Sequence, residues 1–407
     1  MQTFQCTHCN SLVFFESQSC LYCSSSLGFD PDSLRLIALQ ALPASSANQP
    51  SGLESQAAPN ALESGTPAAT ALSQPALWSL LDSPEAGSPD QSQAKRFKFC
   101  LNAQSQNNCN FLLDASDPSG YCLSCRQTKT IPNLSTPSNV LAWKTIENAK
   151  RRLFYTLAKL GLDVRERTPR YEFLEDVPGE DPVMTGHANG LITLNILEAD
   201  DAERTRRRIN LHEPYRTLLG HLRHEVGHFY WDQFFLQDAL ALDAFRALFG
   251  DERSDYGQAL EHHYANPRQD WQQDHVSQYA AAHPWEDWAE TWAHYLHLID
   301  VQETACSYQL QFATQGHAGS IHTTVDNPFV VFAQAPQDGS PQDIGPLLNQ
   351  AMGLSLLLNS LNRSLGHNDA YPFALSTAVL QKLNFVHNAV RRYRHQRTGT
   401  AATQLSD

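Results

Sequence analysis

The chain has 407 residues, 42% of them hydrophobic, which suits two or three domains with a substantial core. It carries 29 Lys and Arg against 43 Asp and Glu, and the resulting net charge of −14 opposes general attraction to nucleic acid or anionic lipid. There is no apolar run of about 18 residues and no secretory signal pattern at the N-terminus, so we expect a cytoplasmic protein without a membrane span.

Two cysteine pairs open the chain. Cys6 and Cys9 form one C-x2-C knuckle, and Cys20 and Cys23 form a second. Four thiolates at this spacing can surround one zinc ion tetrahedrally, so residues 1–41 are predicted to be a zinc ribbon with a structural zinc. Two disulfides are the alternative, but the missing secretory signal favours a reducing compartment, where disulfides rarely persist.

Residues 42–94 are rich in Ala, Ser, Pro and Gln and contain few aromatic residues. Such a segment can bury little apolar surface, so it is predicted to be a flexible linker. A short helix near residues 76–81 would not change this interpretation.

A second cysteine group lies in residues 95–135: Cys100, Cys109, Cys122 and Cys125. Only Cys122 and Cys125 form a regular knuckle, so the other half needs a longer loop. A second structural zinc is favoured, and the alternative is that the two cysteine groups exchange ligands. The basic and aromatic run at residues 95–99 is interpreted as a solvated edge rather than a contact to nucleic acid.

The composition changes near Leu141, and residues 138–310 are predicted to form the main domain. Apolar residues between Trp143 and Leu160 recur at the spacing of an amphipathic helix, with residues 150–152 (Lys-Arg-Arg) directed outward. Residues 171–174 and 191–196 are typical of strands, and residues 186–190 of a turn.

The most informative segment of the chain is His224-Glu225-Val226-Gly227-His228. Its flanks carry apolar residues at helical spacing, which predicts a buried helix. On a helix, His224 and His228 lie one turn apart on one face and can bind one metal ion, while Glu225 can reach a water at that point. This is the H-E-x-x-H arrangement of a zinc hydrolase with two ligands and a general base.

A third metal ligand is expected further along the chain. A metzincin would have Gly at position 231 and His at position 234, but Trp231 and Phe234 stand there. Residues 283–296 instead predict a second helix, with Pro284 at its start and an aromatic stripe along it. Glu286 and Glu290 lie four residues apart and share one face of that helix, so either could approach the metal.

These motifs resemble the gluzincins, and in particular the zinc-binding metallopeptidases that carry N-terminal zinc ribbons. The active-site pattern is also similar to that of anthrax lethal factor. The resemblance implies that Glu286 is the third ligand, that Glu290 holds a ligand from the second shell, and that Tyr279, seven residues before Glu286, donates to the oxyanion. From the residues alone, Tyr279 could be an ordinary half-buried aromatic residue, and Glu286 and Glu290 could exchange their functions.

The resemblance also implies an α+β fold: a zincin-like, mostly helical metallopeptidase domain with a small edge-stranded sheet, preceded by small zinc-ribbon β modules. The strand at residues 191–196 would be the edge strand that lines the cleft, where an extended peptide could pair its backbone. His212, His221 and His294 have weaker claims to a site and are expected in caps, at the surface or in the core. Cys306 is expected to behave as a small buried hydrophobe.

The last part of the chain is predicted in three pieces. Residues 311–346 hold most of the later Gly, Pro and Gln and are expected to form a long loop, partly a lid over the cleft. Residues 347–395 are apolar-periodic and are expected to form a helical subdomain, followed by a disordered tail at residues 396–407.

The sequence therefore predicts a zinc hydrolase of peptide bonds that acts on a peptide or protein substrate. The alternative is an interaction or scaffold protein in which zinc only stabilises modules. The ribbons favour a protein partner as an additional function. Neither reading requires nucleic acid or a membrane.

The zinc content separates the two readings. One catalytic and two structural sites predict three zinc ions per chain, because each donor set is complete for one ion. Elemental analysis of the purified protein is the measurement. Two ions per chain would indicate that only the cysteine sites bind metal.

Overall fold

The structure is a computed structural model that describes residues 1–42, 77–81, 95–210, 217–316, 319–334 and 340–404. It divides into two compact units. The N-terminal unit comprises residues 4–122, and the C-terminal unit comprises residues 123–407 together with residues 1–3. No described helix is long and apolar enough to cross a membrane.

The N-terminal unit is built from short strands and one short helix. The strands are β1 (Phe4–Gln5), β2 (Leu12–Val13), β3 (Ser26–Asp30), β4 (Arg35–Ala41), β5 (Trp78–Leu80), β6 (Arg96–Phe99) and β7 (Leu112–Asp114), and the helix is α1 (Leu101–Gln106). Strands β1 and β2 pair with each other, and β3 to β7 form an antiparallel sheet in chain order.

This sheet differs from the predicted organisation in two ways. Strand β5 falls within the predicted linker, at the place where a short helix was suggested, so that suggestion is wrong. Of the other linker residues, only Leu42, Leu77 and Leu81 are among the described residues. Strands from both predicted cysteine modules also share the one sheet. The aromatic rings of Phe29 and Phe111, one from each module, pack 4.5 Å apart.

The C-terminal unit alternates helices with short strands. The strands are β8 (Thr128–Thr130), β9 (Arg170–Leu174), β10 (Gly186–Ala188), β11 (Leu191–Asn195), β12 (Gln311–Gly316) and β13 (Gly319–Thr324). The helices are α2 (Pro137–Lys159), α3 (Asp201–Asn210), α4 (Leu218–Phe235), α5 (Ala239–Phe249), α6 (Tyr256–Ala265), α7 (Pro284–Ser307), α8 (Pro328–Ala333), α9 (Gly345–Ser364) and α10 (Thr377–Gln404). This mixed architecture confirms the predicted α+β class.

A four-stranded sheet in the order β10-β11-β9-β8 lies beside the helices. Strand β11 pairs parallel with β9 and antiparallel with β10. Strands β10 and β8 are the two edges of the described sheet, so the strand predicted from residues 191–196 is internal and the prediction of an edge strand there is wrong. The sequence could not reveal this, because residues 186–188 are too short to show the alternation of a strand.

The basic run on α2 is only partly directed outward. Lys150 and Arg151 are buried, and only Arg152 is exposed. The Lys150 ammonium lies 3.0 Å from the Glu147 carboxylate and about 5 Å above the Tyr171 ring. A buried charge needs a partner, and Glu147, one turn earlier on the same helix, supplies it.

Helices α4 and α7 cross antiparallel at very close range. A Cβ added to Gly227 would lie 3.0 Å from the Cα of Ala289 and 3.1 Å from the Trp292 ring, so only glycine permits this approach. The indole N–H of Trp288 donates to the Gly227 carbonyl at 2.8 Å. One turn before this crossing, Arg223 of α4 forms a buried ion pair with Asp300 of α7. These contacts fix the position of the two helices relative to each other along their axes.

The C-terminal segments are more ordered than expected. The predicted long loop contains the hairpin β12–β13 and the short helix α8, although residues 317–318 and 335–339 lie outside the described part. Helix α10 continues to Gln404, through most of the predicted tail. Arg397 supports this extension by pairing with Asp163 at 2.5 Å.

Gly227→Ala is expected to destabilise the protein by about 1–3 kcal/mol, because the new methyl group meets backbone that cannot move aside. This exceeds the gain of about 1 kcal/mol that alanine brings to a helix. The measurement is the thermal unfolding midpoint of the metal-free protein. Gly257→Ala on α6, where the nearest atom would be an Asp255 oxygen at 3.5 Å, is the matched control and should not lower the midpoint.

Candidate active site

Three predicted metal ligands converge where α4 faces the first turn of α7. Oε2 of Glu286 lies 2.9 Å from Nε2 of His224 and 3.6 Å from Nε2 of His228. The two Nε2 atoms are 3.2 Å apart. One ligand atom from each of the three residues therefore faces a common point, with all three within 4.8 Å of one another.

Local signals in the sequence place both helices. The Thr217 hydroxyl accepts from the Gly220 N–H at 3.0 Å and caps α4. Pro284 occupies the start of α7, as predicted, and Nδ1 of His283 accepts from the Trp285 N–H at 3.1 Å. Lys382 of α10 donates to the Asp287 carboxylate at 2.6 Å, which ties the first turn of α7 beside Glu286.

The donor set fits a zinc ion. Among the described residues, Oε2 of Glu286 has no hydrogen-bond donor, although the side chain is 1% exposed. A buried carboxylate oxygen aimed at two imidazole nitrogens, without a donor of its own, is what a metal ligand requires. Two imidazoles and one carboxylate also match the ligands of catalytic zinc sites.

The ionisable groups of the site shift one another's pKa values. Burial alone would raise the pKa of Glu286, but the adjacent His228 and His224 lower it well below its ordinary value. Burial would likewise lower the pKa of His224, but Glu286 and Glu290 raise it well above its ordinary value. A metal cation at the convergence point would supply the positive charge that the imidazolium proton supplies to Glu286, and His224 would then bind as the neutral imidazole.

Glu290 contacts His224, one of the predicted ligands, and not the point at which the three predicted ligands converge. Its Oε1 lies 2.7 Å from Nδ1 of His224, the ring nitrogen opposite the one that faces Glu286. The Ser277 hydroxyl donates to Oε2 of Glu290 at 2.6 Å. Burial would raise the pKa of Glu290, but its bonds to His224 and Ser277 lower it to about 2. The contact orients the imidazole and fixes which nitrogen carries its proton.

Glu225 and Tyr279 lie beside the ligands. Glu225 follows His224 on α4 and is 9% exposed. Tyr279 lies in a short 3-10 helix at residues 279–281, with its ring 5.9 Å from that of His224. Burial and the charge of Glu286 raise its pKa well above the ordinary value, so the phenol remains a hydrogen-bond donor at neutral pH.

The structure adds two neighbours that the sequence did not indicate. The Tyr256 hydroxyl, on α6, donates to Oε1 of Glu286 at 2.7 Å. The His187 ring, on β10, is stacked on that of His228 with centroids 6.3 Å apart. Tyr256 precedes Glu286 by 30 positions, and His187 precedes His228 by 41, so no local spacing pointed to them.

The eight N-terminal cysteines form two separate groups of four, as the favoured prediction requires, and the two groups do not exchange ligands. The sulfur atoms of Cys6, Cys9, Cys20 and Cys23 lie within 4.8 Å of one another, and so do those of Cys100, Cys109, Cys122 and Cys125. The Ser25 hydroxyl contacts the Cys23 sulfur at 3.2 Å and lowers the pKa of that thiol to about 6, which favours the thiolate.

The remaining candidates are outside the site. Nδ1 of His221 lies 3.1 Å from the buried carboxylate of Glu198. His294 is a core residue whose Nδ1 bonds the Tyr371 hydroxyl at 2.6 Å. Cys306 is half-buried among apolar side chains. His212 lies outside the described residues.

This donor set defines a candidate zinc-binding protein. Residues 139–389 match the family described as "Putative zinc-binding metallo-peptidase", and the chain belongs to this family. Residues 3–60 and 70–136 match a zinc-ribbon domain. The resemblance to zinc-binding metallopeptidases that carry N-terminal zinc ribbons is thereby confirmed.

The chain is also similar to uncharacterised proteins of Mycobacterium tuberculosis and Mycobacterium bovis. Each is 33% identical over 395 residues, which cover 96% of this chain and 95% of the relative. No solved structure matches the chain.

Glu290→Gln is expected to weaken zinc binding about 10- to 100-fold, because the amide loses the charge that orients His224. A competition titration with a chromophoric chelator measures the dissociation constant of the site. Glu180→Gln, at an exposed position, removes the same charge and should leave that constant unchanged. Equal constants in both variants would mean that Glu290 does not support the ligand.

Proposed function

We propose that this protein is a zinc-dependent peptidase that cleaves peptide bonds, with His224, His228 and Glu286 as ligands of the catalytic metal. The convergence of these three side chains carries the proposal. Glu225 adds a carboxylate next to a ligand on the same rigid helix, which a purely structural metal site does not need.

Zinc bound there would supply a water of lowered pKa and polarise the scissile carbonyl. Glu225 then accepts the proton of the attacking water and delivers it to the leaving amine. Tyr279 donates its phenolic proton in a hydrogen bond to the developing oxyanion, a contact worth roughly 3 kcal/mol. Glu290 keeps the His224 ring oriented throughout.

The surroundings of the site suit an extended substrate. Strand β10 lies at one edge of the described sheet and carries His187 beside His228, so a peptide could add to it as a further strand. A cleft of about 640 Å³ is lined by Asn189, which follows β10, and by Phe229 and Asp232 in the C-terminal half of α4, among others. A chain of several residues could therefore occupy β10 and the cleft together.

The two cysteine groups are proposed to hold one structural zinc ion each. Four converging sulfurs leave no open coordination position, so these ions would stabilise the N-terminal strands without taking part in hydrolysis. The first group also presents exposed apolar side chains next to its knuckles: Leu12, Phe14, Leu21 and Tyr22. These support the proposal that the ribbon contacts a protein.

Glu225→Gln is expected to keep its zinc and to lose turnover by about 10²- to 10⁴-fold, because the amide cannot accept the proton of water. The measurement combines metal analysis with a cleavage profile on a mixed peptide library. Glu261→Gln on the exposed side of α6 is the control and should cleave like the unaltered protein.

Two results would contradict the proposal. Hydrolysis that persists in Glu225→Gln would remove this glutamate as the base. A fully zinc-loaded protein that cleaves no member of the library would instead favour a zinc-stabilised scaffold or a hydrolase of another bond.

A further inference from the structure

Tyr256 combines an exposed ring with a buried hydroxyl contact. It is the first residue of α6, whose N-terminus is capped by Asp255. The residue is 40% exposed, yet its hydroxyl donates to Oε1 of Glu286, a side chain that is 1% exposed. The ring packs edge-on against His283, with centroids 5.2 Å apart. Core packing does not require a hydroxyl at this position, so the contact with Glu286 needs another explanation.

The two oxygens of Glu286 have different surroundings. Oε2 faces the imidazoles of His224 and His228 and has no hydrogen-bond donor among the described residues. Oε1 is occupied by the Tyr256 hydroxyl at 2.7 Å. Oε2 of Glu286 therefore faces the convergence point, while the hydrogen bond from Tyr256 holds Oε1 away from that point.

This difference bears on the number of coordination positions. A catalytic zinc needs one open position besides its three protein ligands. A carboxylate that binds through both oxygens would occupy that position or crowd it. We infer that Tyr256 is a positioning residue that keeps Glu286 bound to the metal through Oε2 alone; this rests on the proposed catalytic zinc site and adds a function for a residue outside the H-E-x-x-H motif.

The neighbouring Tyr279 has a different proposed function. Burial and the charge of Glu286 raise the pKa of Tyr279 well above its ordinary value, so this phenol also keeps its proton. Tyr256 is committed to the ligand by its short bond to Oε1. Tyr279 has no such bond to a ligand carboxylate among the described contacts, so its hydroxyl is available to donate to the substrate.

Cobalt substitution tests the inference without relying on hydrolysis. Visible absorption of Co²⁺ is strong in four-coordinate sites and weaker when a further ligand binds. Cobalt is added to protein whose cysteine sites retain zinc, and the spectrum of an equally treated His224→Ala variant is subtracted. In Tyr256→Phe, Oε1 is released while the ring against His283 is kept, so we expect a weaker visible band and a kcat at least about 10-fold lower with little change in KM.

Two further variants make the result specific. Tyr308→Phe removes the hydroxyl of an exposed tyrosine at the C-terminal end of α7 and should leave spectrum and turnover unchanged. Tyr279→Phe should lower turnover and leave the cobalt spectrum unchanged. A Tyr256→Phe spectrum identical to that of the unaltered protein overturns the inference. If the unaltered protein hydrolyses nothing but Tyr256→Phe still changes the cobalt band, the proposed peptidase activity fails and the inference stands.

Discussion

The close antiparallel crossing of α4 and α7 is the constraint on which the candidate site depends. Gly227 lies in the middle of the H-E-x-x-H segment, and its missing side chain lets the backbone of Ala289 approach. The proposed ligands His224 and His228 then face Glu286 on the opposite helix at 2.9 and 3.6 Å. A displacement of one helix by an ångström would separate these atoms, because side chains on packed helices have little freedom to compensate.

The site also depends on charge that is balanced across several elements. Glu286 and Glu290 of α7 flank His224 on its two ring nitrogens, while Ser277 and Tyr256 hold the remaining carboxylate oxygens. Each acid has a defined donor, and the one oxygen without a donor faces the convergence point. A metal ion would complete this arrangement without rearranging it, which is the property of a preorganised site.

Several expectations from the sequence were wrong for the same physical reason. Strand β5 within the predicted linker, the burial of Lys150 on α2 and the length of helix α10 all depend on tertiary contacts that composition does not reveal. Lys150 reads as a surface residue until Glu147 and the Tyr171 ring are placed around it. Composition describes what a segment could do alone, whereas these segments are stabilised by the surfaces they meet.

The sequence by itself determined the chemistry that depends on local spacing. Two histidines one helical turn apart, an adjacent glutamate and paired C-x2-C knuckles have fixed geometry because the chain between them is short. Only the tertiary structure decided which glutamate of α7 faces the histidines, that β10 lies at an edge of its sheet, and that Tyr256 reaches Glu286. These relations join residues far apart in the chain, and packing of the helices and sheet, not spacing, sets their distances.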